Sequence, residues 1–159
     1  MMTIDPAASD HGETVAGILA RYRDREGALL PILHDVQRAF GHIPADALAQ
    51  IASELLISKA EIHGVVSFYH DFREGPAGRH VLKICRAEAC QAMGGEALAD
   101  HARARLGLDW NETSPDGRLT LEPVFCLGLC ACGPAAMVDG RPVARLDAGK
   151  LDRIVGGLS

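Results

Sequence analysis

The sequence lacks a hydrophobic run long enough to cross a membrane, and it has no excess of positive charge. An uncharged segment extends from Pro123 to Val138, but it is shorter than the roughly 20 residues of a spanning helix. Gly128, Gly133 and Pro134 also interrupt it. The formal net charge of -5 argues against nucleic acid or an anionic membrane as the main partner. We therefore expect no direct membrane insertion and no nucleic-acid binding.

We also expect neither a secretory signal nor a disulfide framework. The N-terminal segment reads MMTIDPAASDHGETV, which has no basic region followed by an apolar core. We therefore expect a cytoplasmic protein, in which thiols stay reduced. The chain contains 5 cysteines, and an odd number weakens the case for disulfides further.

Nucleotide-binding and catalytic motifs are absent as well. No G-x-G-x-x-G follows a predicted strand, and no G-x-x-x-x-G-K-[ST] occurs, so neither dinucleotide nor nucleotide binding is indicated. No candidate nucleophile has a plausible base. We expect the chain alone to catalyse no turnover.

The composition, with 48% hydrophobic and 23% charged residues, is typical of a globular protein, and the residue pattern changes near Gly75 to Gly78. Before this point the sequence SKAE, from Ser58 to Glu61, has the form of a capping box at the start of a helix. Apolar residues recur there at helical spacing and predict four helices, centred on Val15 to Tyr22, Leu29 to Phe40, Leu48 to Leu55 and Ile62 to Tyr69. We predict a helical bundle over residues 13–76, and disorder over the polar residues 1–12.

The segment of residues 77–159 alternates between strand-like and helix-like patterns. In chain order these are RHVLKIC, GGEALADHARARLGL, RLTLEPVFC, PAAMVDGRPVARL and DAGKLDRIVGGL. Asp139-Gly140 predicts a tight hairpin between two short strands, and Asp147 can cap the last helix. The resulting order β-α-β-β-β-α predicts a small thioredoxin-like domain. The whole chain is thus expected to be α+β, a helical bundle followed by this domain.

The cysteines form two short-spaced pairs, Cys85 with Cys90 and Cys126 with Cys130, and Cys132 is left over. The first member of each pair ends a predicted strand, so both pairs are expected in loops at one end of the sheet. Four thiolates there would suit a soft metal. The spacings are compatible with structural zinc and with a 2Fe-2S cluster, and buried free cysteines are the plain alternative.

The surroundings of the cysteines favour an anionic cluster. Gly128 and Gly133 have no β-carbon and would let backbone N–H groups approach the sulfur atoms. The uncharged run keeps carboxylates away from them. Arg86 and Lys83 lie beside the first pair; they would either favour reduction or be solvated side chains.

Other residue types are interpreted as packing or solvated groups. The histidines of the first half, His34, His42, His63 and His70, lie in or beside predicted helices, where a metal role is the less common one. Trp110 follows a helix end and is interpreted as a packing residue.

The cysteine segments read ICRAEACQAMGG and VFCLGLCACGPAAMV, and they are preceded by ILHDVQRAFGHIPADALAQIASELLISKAEIHGVVSFYHDF. In these segments the sequence resembles the thioredoxin-like 2Fe-2S ferredoxin family, the small subunit of an NADH-oxidising module. Respiratory complex I, NAD-reducing hydrogenases and soluble NAD-dependent formate dehydrogenases share this module. Within the family, the short length and SFYHDFREGPAGRHVLKICRAEACQA look most like the γ subunit of a molybdenum-dependent formate dehydrogenase.

The resemblance implies that Cys85, Cys90, Cys126 and Cys130 hold one 2Fe-2S cluster, with Cys132 as a spare thiol. It also implies two partners: a subunit that binds FMN and NAD, and a larger catalytic subunit with molybdenum and iron-sulfur centres. The cluster would exchange single electrons with the FMN. The alternatives are the equivalent subunit of an NADH:quinone oxidoreductase or hydrogenase, a structural zinc module, and a thiol oxidoreductase. The last would want a C-x-x-C motif, which the spacings do not provide.

Overall fold

The structure is a computed structural model that describes the backbone of residues 6–158 and the side chains of residues 11–158. The chain divides into two compact units, one up to Pro76 and one from Ala77 onward. In the part of the chain described, no helix has the length and apolar character needed to cross a membrane.

The first unit consists of four helices, α1 Pro6–Arg21, α2 Leu29–Phe40, α3 Ala45–Glu54 and α4 Lys59–Phe68. Their apolar faces meet in one core, whose fully buried members include Val15, Ile32, Leu33, Val36, Ile51 and Ile62. These residues recur at the helical spacing that predicted the four helices. Burial of each such side chain contributes roughly 1.5–3 kcal/mol, so the core stabilises the bundle.

The ends of these helices show one confirmed prediction and two corrections. Glu61 donates its N–H to Ser58 Oγ at 3.2 Å and accepts from the Ser58 N–H at 2.7 Å, so the capping box is confirmed. The first helix begins at Pro6, so residues 6–12 are helical rather than disordered; residues 1–5 lie outside the described residues. Helix α4 ends at Phe68, so Tyr69, predicted to belong to this helix, follows it and is 43% exposed.

The second unit contains a five-stranded sheet in the order β2-β3-β1-β4-β5. Its elements in chain order are β1 His80–Cys85, α5 Glu88–Ala92, α6 Gly95–Leu106, β2 Glu112–Thr113, β3 Leu119–Val124, a 3-10 helix Cys130–Cys132, β4 Ala136–Val138, β5 Arg141–Val143 and α7 Ala148–Gly157. Strands β1 and β3 are parallel, and the other neighbours are antiparallel. Helices beside a mixed sheet confirm the α+β prediction, to which the structure adds α5 and β2.

One face of this sheet forms the core of the unit. Leu82 and Ile84 point to the same side of β1, because side chains alternate along a strand. They pack with Leu121 of β3 and with residues of α6 and α7, including Leu98, Ala99, Ala102, Leu151 and Val155. This core fixes β1 and β3 side by side.

The predicted hairpin turn between β4 and β5 and the predicted cap of α7 are both present. Asp139 and Gly140 both have positive φ, 48° and 78°, as the tight turn between β4 and β5 requires. Asp147 caps α7, because its Oδ1 accepts the Lys150 N–H at 2.7 Å.

Candidate cofactor site

The parallel pairing of β1 and β3 brings the cysteine-containing segments to one edge of the sheet. Cys85, the last residue of β1, is in register with Val124, the last residue of β3. Because parallel strands end at the same edge, the segments after them, with Cys90 and with Cys126 to Cys132, begin side by side.

The first pair, Cys85 and Cys90, is buried, with 2% exposure for each residue. Cys85 donates its N–H to the carbonyl oxygen of Ala135 at 3.0 Å. Cys90 lies in α5, a helix of 5 residues that was not predicted. The two cysteines and Ala135 form a small apolar cluster, against which Leu127 and Leu129 pack. The inner half of the site is therefore closed off from water.

The second pair, Cys126 and Cys130, is exposed. Strand β3 ends at Val124, so Cys126 lies beyond the strand that the sequence predicted it would end. Cys126 has a φ of 115°, a left-handed conformation that costs energy for a residue with a side chain and is often found at functional sites. Gly128 donates its N–H to Cys126 Sγ at 3.3 Å.

The four thiols interact as two pairs. Burial raises the pKa of Cys90, and a hydrogen bond with Cys85 and the charges of Cys85 and Cys130 raise it further. The pKa of Cys130 is also raised, first by the charge of Cys126 and the hydrogen bond with it, and then by burial and by the charge of Cys85. Within each pair the partner thiol thus raises the pKa of Cys90 or Cys130, and weaker charge interactions connect the two pairs.

Backbone N–H groups and a close glycine surround the sulfur atoms. The Ala135 N–H bonds to the Cys90 thiol and lowers its pKa, opposing the larger effect of burial. Gly133 lies beside the same sulfur: a β-carbon at this position would be 3.4 Å from Cys90 Sγ and 3.2 Å from Met93 Sδ. The prediction of a close backbone approach thus fits Gly133, which is followed by a cis peptide bond to Pro134.

This donor set suits a 2Fe-2S cluster, in which each iron takes two thiolates. Two pairs of thiols are present, N–H groups point at two of the sulfurs, and no Asp, Glu, Lys or Arg occurs from Pro123 to Val138. N–H donors stabilise the negative charge of such a group. Within residues 11–158, no three His, Cys, Asp or Glu side chains come together as ligands of one metal ion; a two-iron cluster differs from such a site, because its four thiolates are divided between two irons.

Cys132, the fifth cysteine, is held by its backbone. It ends the 3-10 helix, donates its N–H to Leu129 at 2.9 Å, and accepts at its carbonyl from Arg145 at 2.7 Å. Its side chain is partly exposed. The charge interactions described above come from Cys85, Cys126 and Cys130.

Both basic residues beside the first pair are ion-paired. Lys83 Nζ lies 3.3 Å from Glu122 Oε2, and Arg86 Nη2 lies 2.8 Å from Glu96 Oε2. The Lys83 and Arg86 side chains are 16% and 19% exposed, so the interpretation of them as solvated groups is wrong. The partners could not be identified from sequence, because they lie on other elements of the unit.

The remaining residues singled out in the sequence have packing or surface positions. The His34 ring lies 4.9 Å from the Phe72 ring, His42 Nδ1 lies 3.1 Å from the Phe40 carbonyl oxygen, and His63 is exposed. Trp110 packs against the core of the second unit, as predicted.

Comparison with known proteins agrees with the geometry. The family model described as thioredoxin-like [2Fe-2S] ferredoxin matches residues 15–159. The chain is 36% identical over 143 residues to a subunit of the NADH-quinone oxidoreductase of Rhizobium meliloti (strain 1021), covering 90% of this chain and 85% of that protein. It is 37% identical over 122 residues to an NADH-quinone oxidoreductase subunit of Mycobacterium bovis, covering 77% of this chain but 48% of the relative.

Larger hydrogenase chains contain a similar segment. The alpha subunit of the NAD-reducing hydrogenase HoxS of Cupriavidus necator is 33% identical over 144 residues, which cover 91% of this chain and 24% of that protein. A crystal structure of an NAD+-reducing [NiFe]-hydrogenase in the air-oxidized state superposes with a TM-score of 0.69 at 31% identity, over 86% of this chain and 24% of that chain. This chain is therefore similar to one part of those longer proteins.

Proposed function

This chain belongs to the thioredoxin-like [2Fe-2S] ferredoxin family, and we propose that it transfers electrons through one cluster held by Cys85, Cys90, Cys126 and Cys130. Membership of the family implies the 2Fe-2S cluster. Strands β1 and β3 are parallel and end side by side at Cys85 and Val124, so both cysteine pairs follow from one edge of the sheet, and this placement supports the ligand set.

The two pairs differ in a way that suits electron transfer. When bound, a 2Fe-2S cluster accepts and returns one electron at a time. Cys85 and Cys90 would hold it on the buried side, where water is excluded. Cys126 and Cys130 are exposed and would bring the other side of the site to the protein surface. Phe125, which precedes Cys126, and Met93, whose Sδ lies near Gly133, are 66% and 50% exposed and add apolar surface of the kind found at protein contacts.

The electron partner we propose is the FMN of a neighbouring subunit that also binds NAD. Relatives of this chain are named as subunits of NADH-quinone oxidoreductase and of NAD-reducing hydrogenase, and these names support an NADH-oxidising module. In such a module the chain would carry electrons and have no substrate site of its own. We propose a cytoplasmic location.

For the parent enzyme we propose a soluble NAD-dependent formate dehydrogenase, whose larger subunit would hold molybdenum and iron-sulfur centres. The support is the likeness of residues 67–92 and the short length to its γ subunit. The equivalent subunit of an NADH:quinone oxidoreductase or of a hydrogenase is the second candidate, and the names of the relatives favour it. Isolation of the tagged chain from its host separates these candidates by the catalytic subunit that copurifies.

Anaerobic purification tests the cofactor and the zinc alternative together. The proposed site predicts a reddish-brown protein with about two irons and two acid-labile sulfides per chain, and an EPR signal that appears on reduction. A zinc module would be colourless, would bind about one metal ion and would contain no sulfide. That result would refute the proposal.

A further inference from the structure

Arg86 immediately follows Cys85, and both its backbone N–H and its backbone carbonyl are hydrogen-bonded. Its N–H donates to the carbonyl oxygen of Val124 at 2.8 Å, and its own carbonyl accepts from Gln91 Nε2 at 2.6 Å. Gln91 immediately follows Cys90. The residues that follow the two cysteines are therefore joined directly.

The side chain of Arg86 is also held on two sides. Its Nη2 donates to both carboxylate oxygens of Glu96, at 3.0 Å and 2.8 Å, and its guanidinium lies over the Trp110 ring, 5.3 Å from the centroid. A charge-assisted contact and a cation-π contact together restrict a planar group more than an exposed ion pair does. These contacts hold the guanidinium in one position, and only 19% of the side chain is exposed.

Glu96 connects the guanidinium to the second cysteine. It lies in the first turn of α6, next to Gly95, which packs against the backbone of Cys90. A β-carbon at position 95 would be only 2.6 Å from the Cys90 carbonyl oxygen. The contact of Arg86 with Glu96 thus joins the end of β1, where Cys85 lies, to the helix that packs against Cys90.

We infer that Arg86 is a positioning residue for the Cys85 and Cys90 pair: its contacts with Glu96, Trp110 and Gln91 fix the spacing of the two sulfur atoms. The inference rests on the proposed ligand set. Glu96 compensates the charge of Arg86, so the residue acts through geometry rather than through its net charge. Hydrogen bonds made by neighbouring residues commonly orient the ligands of a metal group.

The test compares three variants of the anaerobically purified full chain, Arg86→Gln, Glu96→Gln and the double variant. Removal of either partner breaks the same contact, so both single variants should lose iron to a chelator about tenfold faster than the wild type. Both should also show a changed EPR spectrum. The double variant should lose iron no faster than the more labile single variant, because the two residues form one contact.

Arg118→Gln is the matched control. Arg118 pairs with Asp116 before β3, at the opposite end of that strand from the cysteines. This variant should leave the rate of iron loss and the EPR spectrum unchanged.

A role of the charge alone predicts a different result. Arg86→Gln would then lower the midpoint potential and Glu96→Gln would raise it, with wild-type rates of iron loss; this outcome overturns the inference, as do wild-type rates and spectra in both variants. Far-UV circular dichroism checks folding, and Glu96→Gln, at a side chain 56% exposed, carries the test if Arg86→Gln does not fold. A wild-type chain without two irons and two sulfides would instead refute the proposed ligand set.

Discussion

Gly95 lies directly against the backbone of Cys90. A β-carbon at position 95 would be 2.6 Å from the Cys90 carbonyl oxygen and 2.8 Å from its carbonyl carbon, closer than non-bonded atoms approach. We expect Gly95→Ala to push α6 away from α5 and to lower the free energy of unfolding by about 1–3 kcal/mol. Urea denaturation of the chain, followed by circular dichroism, measures this change.

The control for this substitution is Gly156→Ala in α7, where a β-carbon would meet nothing within 4 Å. Alanine in a helix is roughly 0.5–1 kcal/mol more favourable than glycine, so this variant should be as stable as the wild type or slightly more stable. Equal stability of the two alanine variants would contradict the close contact at Gly95.

Regular elements of the fold were predictable because their sequence patterns are local. The helix over Leu29–Phe40 follows from its apolar spacing, the start of α4 from Ser58 and Glu61, and the β4-β5 turn from Asp139-Gly140. Helix α5 has only 5 residues, too few for an apolar period to be recognised. The element that carries Cys90 was therefore missed, although its cysteine was identified.

The proposed ligands could be chosen from the sequence, but their surroundings could not. Spacing and predicted strand ends singled out the four paired cysteines as candidates, yet the difference between a buried and an exposed pair depends on tertiary packing around Ala135. The positive φ of Cys126 could not be predicted, because such a conformation is usually indicated by glycine and this position is a cysteine. The partner of Arg86 lies ten residues away in the chain, and only the fold shows the contact.

Asp139 links the β4-β5 turn to β1. Burial opposes its ionisation, but the hydrogen bond with His80, the Val81 N–H, and the charges of His80 and Arg141 outweigh it, so the pKa of Asp139 is lowered from 3.8. Asp139→Asn should lower the free energy of unfolding at pH 5.5 by roughly 0.2–1 kcal/mol, the range of partly exposed pairs. Asparagine tolerates the positive φ of this position, so the variant removes mainly the charge.

The pH dependence of this effect has a definite sign. A carboxylate with a lowered pKa in the folded state stabilises the protein above its unfolded pKa, and the contribution is lost as the pH falls through the folded value. The difference between wild type and Asp139→Asn should thus be complete at pH 5.5 and shrink below pH 3.8. Urea denaturation at pH 5.5 and pH 3 compares the two; a difference that grows at pH 3 would be inconsistent with the lowered pKa.

Ser58 begins α4 by accepting the Glu61 N–H at 3.2 Å. Ser58→Ala removes this acceptor from the helix end, and we expect a loss of about 1 kcal/mol in the free energy of unfolding, detectable as a lower urea midpoint. Ser67, whose hydroxyl donates to the Gly64 carbonyl oxygen at 3.2 Å within the same helix, provides the comparison. Ser67→Ala should change stability by less than half as much, because that carbonyl is an exposed group that water can satisfy.

Cys130 and Cys132 are separated by one residue in the 3-10 helix, and they provide the sharpest test of the ligand set. Cys130 interacts with Cys126, Cys85 and Cys90 through its thiol, so Cys130→Ser should lose the cluster or grossly change its EPR spectrum. Cys132→Ser should keep about two irons and two sulfides per chain with the wild-type spectrum.

The two substitutions are matched, since each replaces one sulfur by oxygen within the same turn. A general effect of the exchange on the 3-10 helix would therefore appear in both variants. The backbone of Cys132 is bonded to Leu129 and Arg145, and serine retains both bonds. If Cys132→Ser loses the cluster while Cys130→Ser retains it, Cys132 is the fourth ligand, and the pair at the exposed side of the site is Cys126 with Cys132.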